Sequence, residues 1–319
     1  MSIAGDTAGR NVRKGGERVA WTACVAAVVL LGTASANGAA EAGAQTVADQ
    51  VGLLRLLGAG LLGALLVKVL EIGYQEVRRG SERRGTARQF VDEHLDPVLK
   101  AADELVGKLR SLAMADFKTL RARQGSHERN HDLVDVLYLV SRLWANLELF
   151  RGGGQTVSVV RDTRGKRLAA FADCLESRRV RIVRRSSQRA VAELALVAGN
   201  EGAEVIRFVD FVRRFEEDVE AQRWLAPLER ALGRMEHTAD RQRLLRYGIV
   251  VHALIDTLDP EHEVSKDRRS YAHKLSYKSW NELERRVFRV YLKFVEGTQK
   301  YLGPPRRRPQ GGGGGTEGL

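Results

Sequence analysis

His252, Asp256, Asp259 and His262 stand close together, with Glu261 and Glu263 beside them. His252 and Asp256 are four positions apart, so on a helix they share one face. Asp259-Pro260 then turns the chain, so that His262 can approach them. Two imidazoles and a carboxylate are residue types that bind a divalent metal or move protons, and His252, Asp256 and His262 together could serve a metal-dependent hydrolase. The segment that follows, Ser265 to Lys278, is polar and carries Lys266, Asp267, Arg268, Arg269, Tyr271, His273 and Tyr277. It is longer than packing two helices requires, and long connections often carry function. The competing reading is a surface loop whose polar residues cap helices.

A second cluster is His127-Glu128-Arg129-Asn130-His131. Two histidines one helical turn apart can hold zinc while the intervening glutamate acts as general base. Coming after two hydrophobic segments, this run resembles the membrane-anchored zinc metalloproteases, which would make His127 and His131 ligands and Glu128 the base. The resemblance covers five residues. It departs from the pattern at Gln124-Gly125-Ser126, which interrupt a helix just ahead of it, and at Arg129, which places a positive charge between the ligands. The doublet His131-Asp132, with His94 upstream and Asp256 downstream, resembles the helical metal-dependent phosphohydrolases known by that doublet, again over a few residues of common type. No resemblance covers enough of the chain to transfer a role, and no cofactor is expected.

Arginine offers a different chemistry. If the run from Arg178 to Arg189 is helical, Arg178, Arg181, Arg185 and Arg189 fall on one face and Val180, Val183, Val191 and Leu194 on the other. Such a stripe can grip phosphate, because each guanidinium donates two parallel hydrogen bonds. Its alternative is a solvated face paired with acids on neighbouring helices. No aromatic residue interleaves with the arginines, so nucleic acid is not an expected partner and a nucleic-acid-binding regulator is only a third reading.

Composition sets the frame for these candidates. The chain has 319 residues, 44% hydrophobic and 29% charged, with 52 Lys+Arg against 40 Asp+Glu and a net charge of +12. Six of the bases and five of the acids precede Tyr74, so the excess lies beyond it. Cys24 and Cys174 are too far apart in sequence and context to suggest a disulfide framework or a cysteine zinc site.

The N-terminal part predicts a membrane anchor. Residues 1–18 form a basic leader with Arg10, Arg13, Lys14 and Arg18. Residues 19–40 are uncharged and read either as a signal peptide ending near Ala34-Ser35-Ala36 or as a first transmembrane helix. Residues 51–73 read as a transmembrane helix, with Arg55 and Lys68 near its ends where long side chains can snorkel to the interfaces. Arg78, Arg79, Arg83, Arg84 and Arg88 follow it, so the downstream end is expected on the cytoplasmic side. The four arginines from Arg78 to Arg84 are also the natural contacts for anionic lipid.

Residues 74–302 predict a helical cytoplasmic domain, and 303–319 a disordered Gly/Pro/Arg tail. Asp96-Pro97 looks like an N-cap and first turn, with a kinked stalk ahead of it. Apolar residues at spacings of three and four predict helices over Leu133–Leu147, Gly165–Ala198 with a break near Ser177, Ala203–Met235 with a kink at Pro227, and Ala239–Leu258. A last helix is expected from a capping box at Ser279 through Leu283, Val287, Val290, Tyr291 and Phe294, and one short strand at Thr156–Val160. The fold class is therefore all-α: one or two N-terminal transmembrane helices, then a mostly helical cytoplasmic body. The preferred function is a non-catalytic interaction or scaffold module at the cytoplasmic membrane face, with the membrane and a protein partner or second copy as its partners.

Overall fold

The computed structural model describes Lys68 and residues 85–120, 130–154, 159–199 and 202–303. The chain divides after Tyr74 into two units, and all the described residues except Lys68 belong to the second. Among the described residues no helix is long and apolar enough to cross a membrane. The leader, both expected membrane segments, Arg78, Arg79, Arg83, Arg84, His127, Glu128 and the Gly/Pro/Arg tail beyond Gly303 lie outside them.

The second unit is mostly helical, as the periodicity predicts. Helix α1 is described over residues 85–114, and Lys118–Leu120 adds a short 3-10 turn. After it come α2 (His131–Gly154), a 3-10 turn at Val159–Arg161, α3 (Thr163–Glu176) and α4 (Arg185–Leu194). A hairpin of β1 (Leu196–Gly199) and β2 (Gly202–Val205) separates these from α5 (Phe208–Glu217), α6 (Val219–Gly233) and α7 (Thr238–Leu258). The chain ends in a 3-10 turn at Ala272–Lys274, α8 (Tyr277–Glu282), a π-helical turn at Leu283–Phe288, and α9 (Gln299–Leu302).

One continuous apolar core joins these elements. Val91, Leu95, Val98, Leu105 and Leu109 of α1 are buried with Leu137, Val140, Leu143 and Trp144 of α2 and Leu244 to Leu258 of α7. Helix α2 packs on α4, and α3 on α7. At the centre the Trp144 indole N–H donates to the Tyr247 hydroxyl at 2.8 Å, with both rings buried. Tyrosine and tryptophan tolerate such burial when their polar ends meet.

Several boundaries differ from expectation. Asp96-Pro97 is not a helix start: α1 runs through it, because Val91, Leu95, Val98 and Leu99 continue one buried face across the proline. Burial outweighs the backbone hydrogen bond that Pro97 cannot donate. The stretch read as helix up to Ala198 and again from Ala203 contains instead the antiparallel hairpin, which pairs Leu196 with Val205 and Gly199 with Gly202. Gly202 has φ of 138°, a conformation that side chains oppose. The expected helix beyond Ala203 is also divided, at Asp218, whose carboxylate accepts the N–H groups of Glu220 and Ala221 and so caps α6. Pro227 lies inside α6.

In the expected strand at Thr156–Val160, Val159 and Val160 form part of the 3-10 turn, and residues 155–158 lie outside the described set. The break near Ser177 is present: Asp162 caps α3 at one end and Ser177 closes it at the other. At the C-terminus the cap is Ser276 rather than Ser279, with its hydroxyl accepting the Ser279 N–H at 3.2 Å. The π turn widens the winding enough to bury Leu283, Val287 and Phe288 together. The helix expected to run through Phe294 ends at Phe288, and Val290 and Tyr291, expected on its apolar face, are exposed in the turn that follows.

Candidate functional site

The arginine-rich run does not form one helical stripe. Helix α3 ends at Glu176, Arg178 lies in the turn after it, Arg181 and Arg184 are in irregular backbone, and α4 starts only at Arg185. The four arginines expected on one face are therefore divided between two environments. Arg185 and Arg189 turn inward to Glu176, whose side chain is 3% exposed; Arg185 Nε lies 2.6 Å and Arg189 Nε 3.5 Å from its carboxylate. Arg151 of α2 hydrogen-bonds the same carboxylate. A buried carboxylate needs such partners, so these arginines serve the fold.

Arg178 and Arg181 face outward into a groove of about 600 Å³. Arg184 lines it from the N-cap of α4, Arg230 from the C-terminal half of α6, Arg234 from that helix's C-cap, and Arg243 from α7. Ile182, Val183, Pro227 and Ala231 supply apolar wall. Asp240 counters two of the arginines, at 3.6 Å from Arg234 and 3.5 Å from Arg243. Arg230 Nε donates to the Ala226 carbonyl of its own helix at 3.2 Å. Arg178, Arg181 and Arg184 have no carboxylate partner among the described residues.

Sequence reasoning found Arg178 and Arg181 but not the arginines opposite. Arg230 and Arg234 are four apart and so share a helix face, which was the available signal. Their meeting with Arg178 depends on how α6 packs against α4, which one-dimensional spacing does not contain.

The second candidate is brought together as its spacing suggested. His252 Nε2 lies 3.7 Å and His262 Nε2 3.8 Å from Asp256 Oδ1, beyond hydrogen-bond range. His262 adopts φ of 56° just after the Asp259-Pro260 turn, and Ser265 Oγ lies 3.1 Å from its Nδ1. The other Asp256 oxygen is occupied: Lys300 Nζ lies 2.7 Å from Oδ2, and the Tyr301 hydroxyl donates to it at 3.0 Å. Lys300 and Tyr301, both on α9, were not anticipated. The bond to Asp256 raises the Lys300 pKa, and burial pushes the Tyr301 phenol up. Burial also lowers the His252 imidazole below its usual value, against the pull of Asp256.

Chemically this cluster already contains its cation. An ammonium sits on the carboxylate that a metal would use, and among the described residues no three His, Cys, Asp or Glu side chains are arranged to hold one. Asp259 is also engaged, accepting N–H from Glu263, Val264 and Ser265 and the Ser265 hydroxyl. Burial alone would raise its pKa, but the bonds from Ser265, Val264 and Glu263 prevail and lower it. These contacts fasten the loop after α7.

The remaining candidates are held locally. His131 is the exposed first residue of α2, and Asp132 pairs with Lys108 of α1 at 2.7 Å. His94 stacks on Phe90 with ring centres 4.1 Å apart. No family model matches the chain, nor does any curated protein or solved structure.

Proposed function

We propose that the chain is a membrane-tethered helical module that acts by binding, without catalysis, at the cytoplasmic face of the membrane, where it engages a protein partner or a second copy and anionic groups at the surface. The observation that carries this reading is the open groove in which Arg178, Arg181 and Arg184 stand without acidic partners among the described residues, on a chain of net charge +12. The residues best suited to catalysis are, by contrast, committed to structure: Lys300 and Tyr301 occupy Asp256, and the loop occupies Asp259. Exposed Val209 and Val219 add apolar surface that a protein partner could cover.

The tether rests on the uncharged run 19–40, the apolar segment 51–73 and the arginines after it. Anionic headgroups are the nearest counter-charge for a body held there, at about 1 kcal/mol per basic residue near the surface. The test is alkaline carbonate extraction of cells expressing the full chain, followed by crosslinking and mass spectrometry of the membrane pellet. The protein is expected in the pellet, crosslinked through its body to a partner or a second copy. Recovery in the soluble fraction, or a reporter fused after Arg88 that is active only outside the cell, overturns the tether. A pelleted protein that forms no crosslink overturns the binding role.

A further inference from the structure

We propose that the groove lined by Arg178, Arg181, Arg184, Arg230, Arg234 and Arg243 is a specific site for a terminal phosphate group, either a phosphate monoester or two linked phosphoryl groups. This deepens the reading of the body as a binding module and does not depend on the tether.

The first argument is charge. Six guanidiniums share about 600 Å³, and among the described residues the one carboxylate paired with them is Asp240, which pairs with two. Like charges gathered over an apolar wall repel one another more strongly than in open water, because the wall excludes solvent and concentrates the field. A multiply charged anion reverses the sign of that interaction.

The second argument is donor geometry. Arginine presents a planar fork suited to phosphate oxygens. Here the forks come from three separate places: the segment between α3 and α4, the C-terminal end of α6 with its cap, and the first turns of α7. A ligand with oxygens on several sides can engage more than one of them at once. A terminal phosphate has three free oxygens, whereas a phosphodiester has two.

The third argument is the helix end between them. Helix α4 is ten residues long, starts at Arg185, has no acidic residue in its first turn and has no side-chain cap from Arg184. Its positive end is left uncapped beside the groove, and Ser187 of its first turn lines the wall. Helix α6, close by, receives a carboxylate from Asp218 at the same position. Backbone N–H groups at a free helix start add to the arginines as phosphate donors. The lining includes no aromatic side chain on which a base could stack, which favours phosphate itself over nucleic acid.

The shared chemistry has two sources, a soluble phosphate compound or the headgroup of a lipid such as phosphatidic acid. The full chain is reconstituted in phosphatidylcholine nanodiscs and titrated with inorganic pyrophosphate by calorimetry, while hydrogen exchange follows the Arg185–Ser187 amides. In a parallel arm the nanodiscs contain phosphatidic acid, or phosphatidylglycerol at equal charge. A soluble ligand predicts pyrophosphate binding and slowed exchange in α4, with affinity reduced at least tenfold in Arg181→Gln/Arg230→Gln and unchanged in Arg223→Gln, on the exposed face of α6. A lipid ligand predicts slowed exchange with phosphatidic acid but not phosphatidylglycerol, and no pyrophosphate binding.

The site is overturned if neither phosphate slows exchange in the wild-type chain, or if Arg223→Gln weakens binding as much as the groove substitutions. The exchange measurement uses the wild-type protein, so it stands even where the double variant misfolds. If the tether fails, the protein is carbonate-soluble, and the pyrophosphate titration can still be read in solution.

Discussion

Asp103 and Arg268 are joined by two parallel hydrogen bonds, from Arg268 Nε at 2.7 Å and Nη2 at 3.0 Å, although 165 positions separate them. The pair ties α1 to the loop between α7 and α8. Asp103 is buried, and Gly107, one turn along, leaves space for the guanidinium: a Cβ there would lie 3.0 Å from it. Asp103→Ala strands the arginine against α1, and the expected loss is about 3 kcal/mol, near the lower end for breaking a buried pair. Denaturant midpoints measure it. A change below about 0.5 kcal/mol would show that the loop is held by other contacts.

Gly248 sets two effects against each other. Alanine is favoured in a helix by about 1 kcal/mol, but a Cβ at this position would lie 1.9 Å from the Tyr271 hydroxyl and 2.8 Å from Leu109 Cδ1. Overpacking of that kind costs about 1–3 kcal/mol, so Gly248→Ala is expected to lower the melting temperature. The Tyr271 hydroxyl is buried without a hydrogen-bond partner among the described residues, and Tyr271→Phe is expected to be neutral or stabilising. Combining the two should recover much of the loss; simple additivity in a double-mutant cycle would refute the clash.

Lys300→Met removes the ammonium from Asp256 and leaves that carboxylate buried beside two imidazoles. The expected destabilisation is about 1–3 kcal/mol, with faster amide exchange at Tyr301 and Leu302. Unchanged exchange there would mean that α9 is held by its other bonds, Trp280 N–H to the Leu302 carbonyl at 3.0 Å and the Ser270 hydroxyl to the Tyr301 carbonyl at 3.1 Å.

His252 gives a pH dependence of known sign. Burial keeps its folded pKa below the ordinary 6.5, so as pH falls below that value the unfolded chain takes up a proton that the folded chain does not. Stability is therefore expected to fall with pH from about 6.5 downward, before the carboxylates titrate. Asp256, Asp267, Lys300 and His262 face the same ring and modulate the slope. Urea midpoints at pH 7.5, 6.5 and 5.5 should decline more steeply in the wild type than in His252→Gln, and parallel declines would contradict the assignment.

Cys174 is buried, and burial pushes its thiol up to about 12. In a Cys24→Ser background, alkylation at pH 8 is expected only as the protein unfolds. Rapid labelling of the folded protein would refute the placement of Cys174 in the core.

Much of this fold is legible in the residues. The face of α2 from Val136 to Leu147 and the face of α7 from Leu244 to Leu258 follow the spacing that places them in the core. Asp259-Pro260 stops α7 where it should. The break between Ala198 and Ala203 was legible from Gly199 and Gly202, but the strands flanking it were not, because Leu194, Ala195, Leu196 and Ala198 suit a helix. Pro97 misled in the other direction, since local propensity suggested a start where burial on both sides sustains a helix. At the candidate sites, the approach of His252, Asp256 and His262 was readable because they are near in sequence. The convergence of Arg178 with Arg230, or of Asp256 with Lys300, depends on long-range packing, and no local pattern encodes it.

The position of α9 has a consequence for biosynthesis. Tyr301 and Leu302 cover the buried end of α7, so a polypeptide emerging from the ribosome cannot complete this interior until residues 299–302 have been made and released from the exit tunnel. Until then the imidazoles and carboxylate around Asp256 stay wet beside an open apolar floor. A nascent chain that terminates within α8 would carry that defect permanently, and chaperones and proteases would decide its fate.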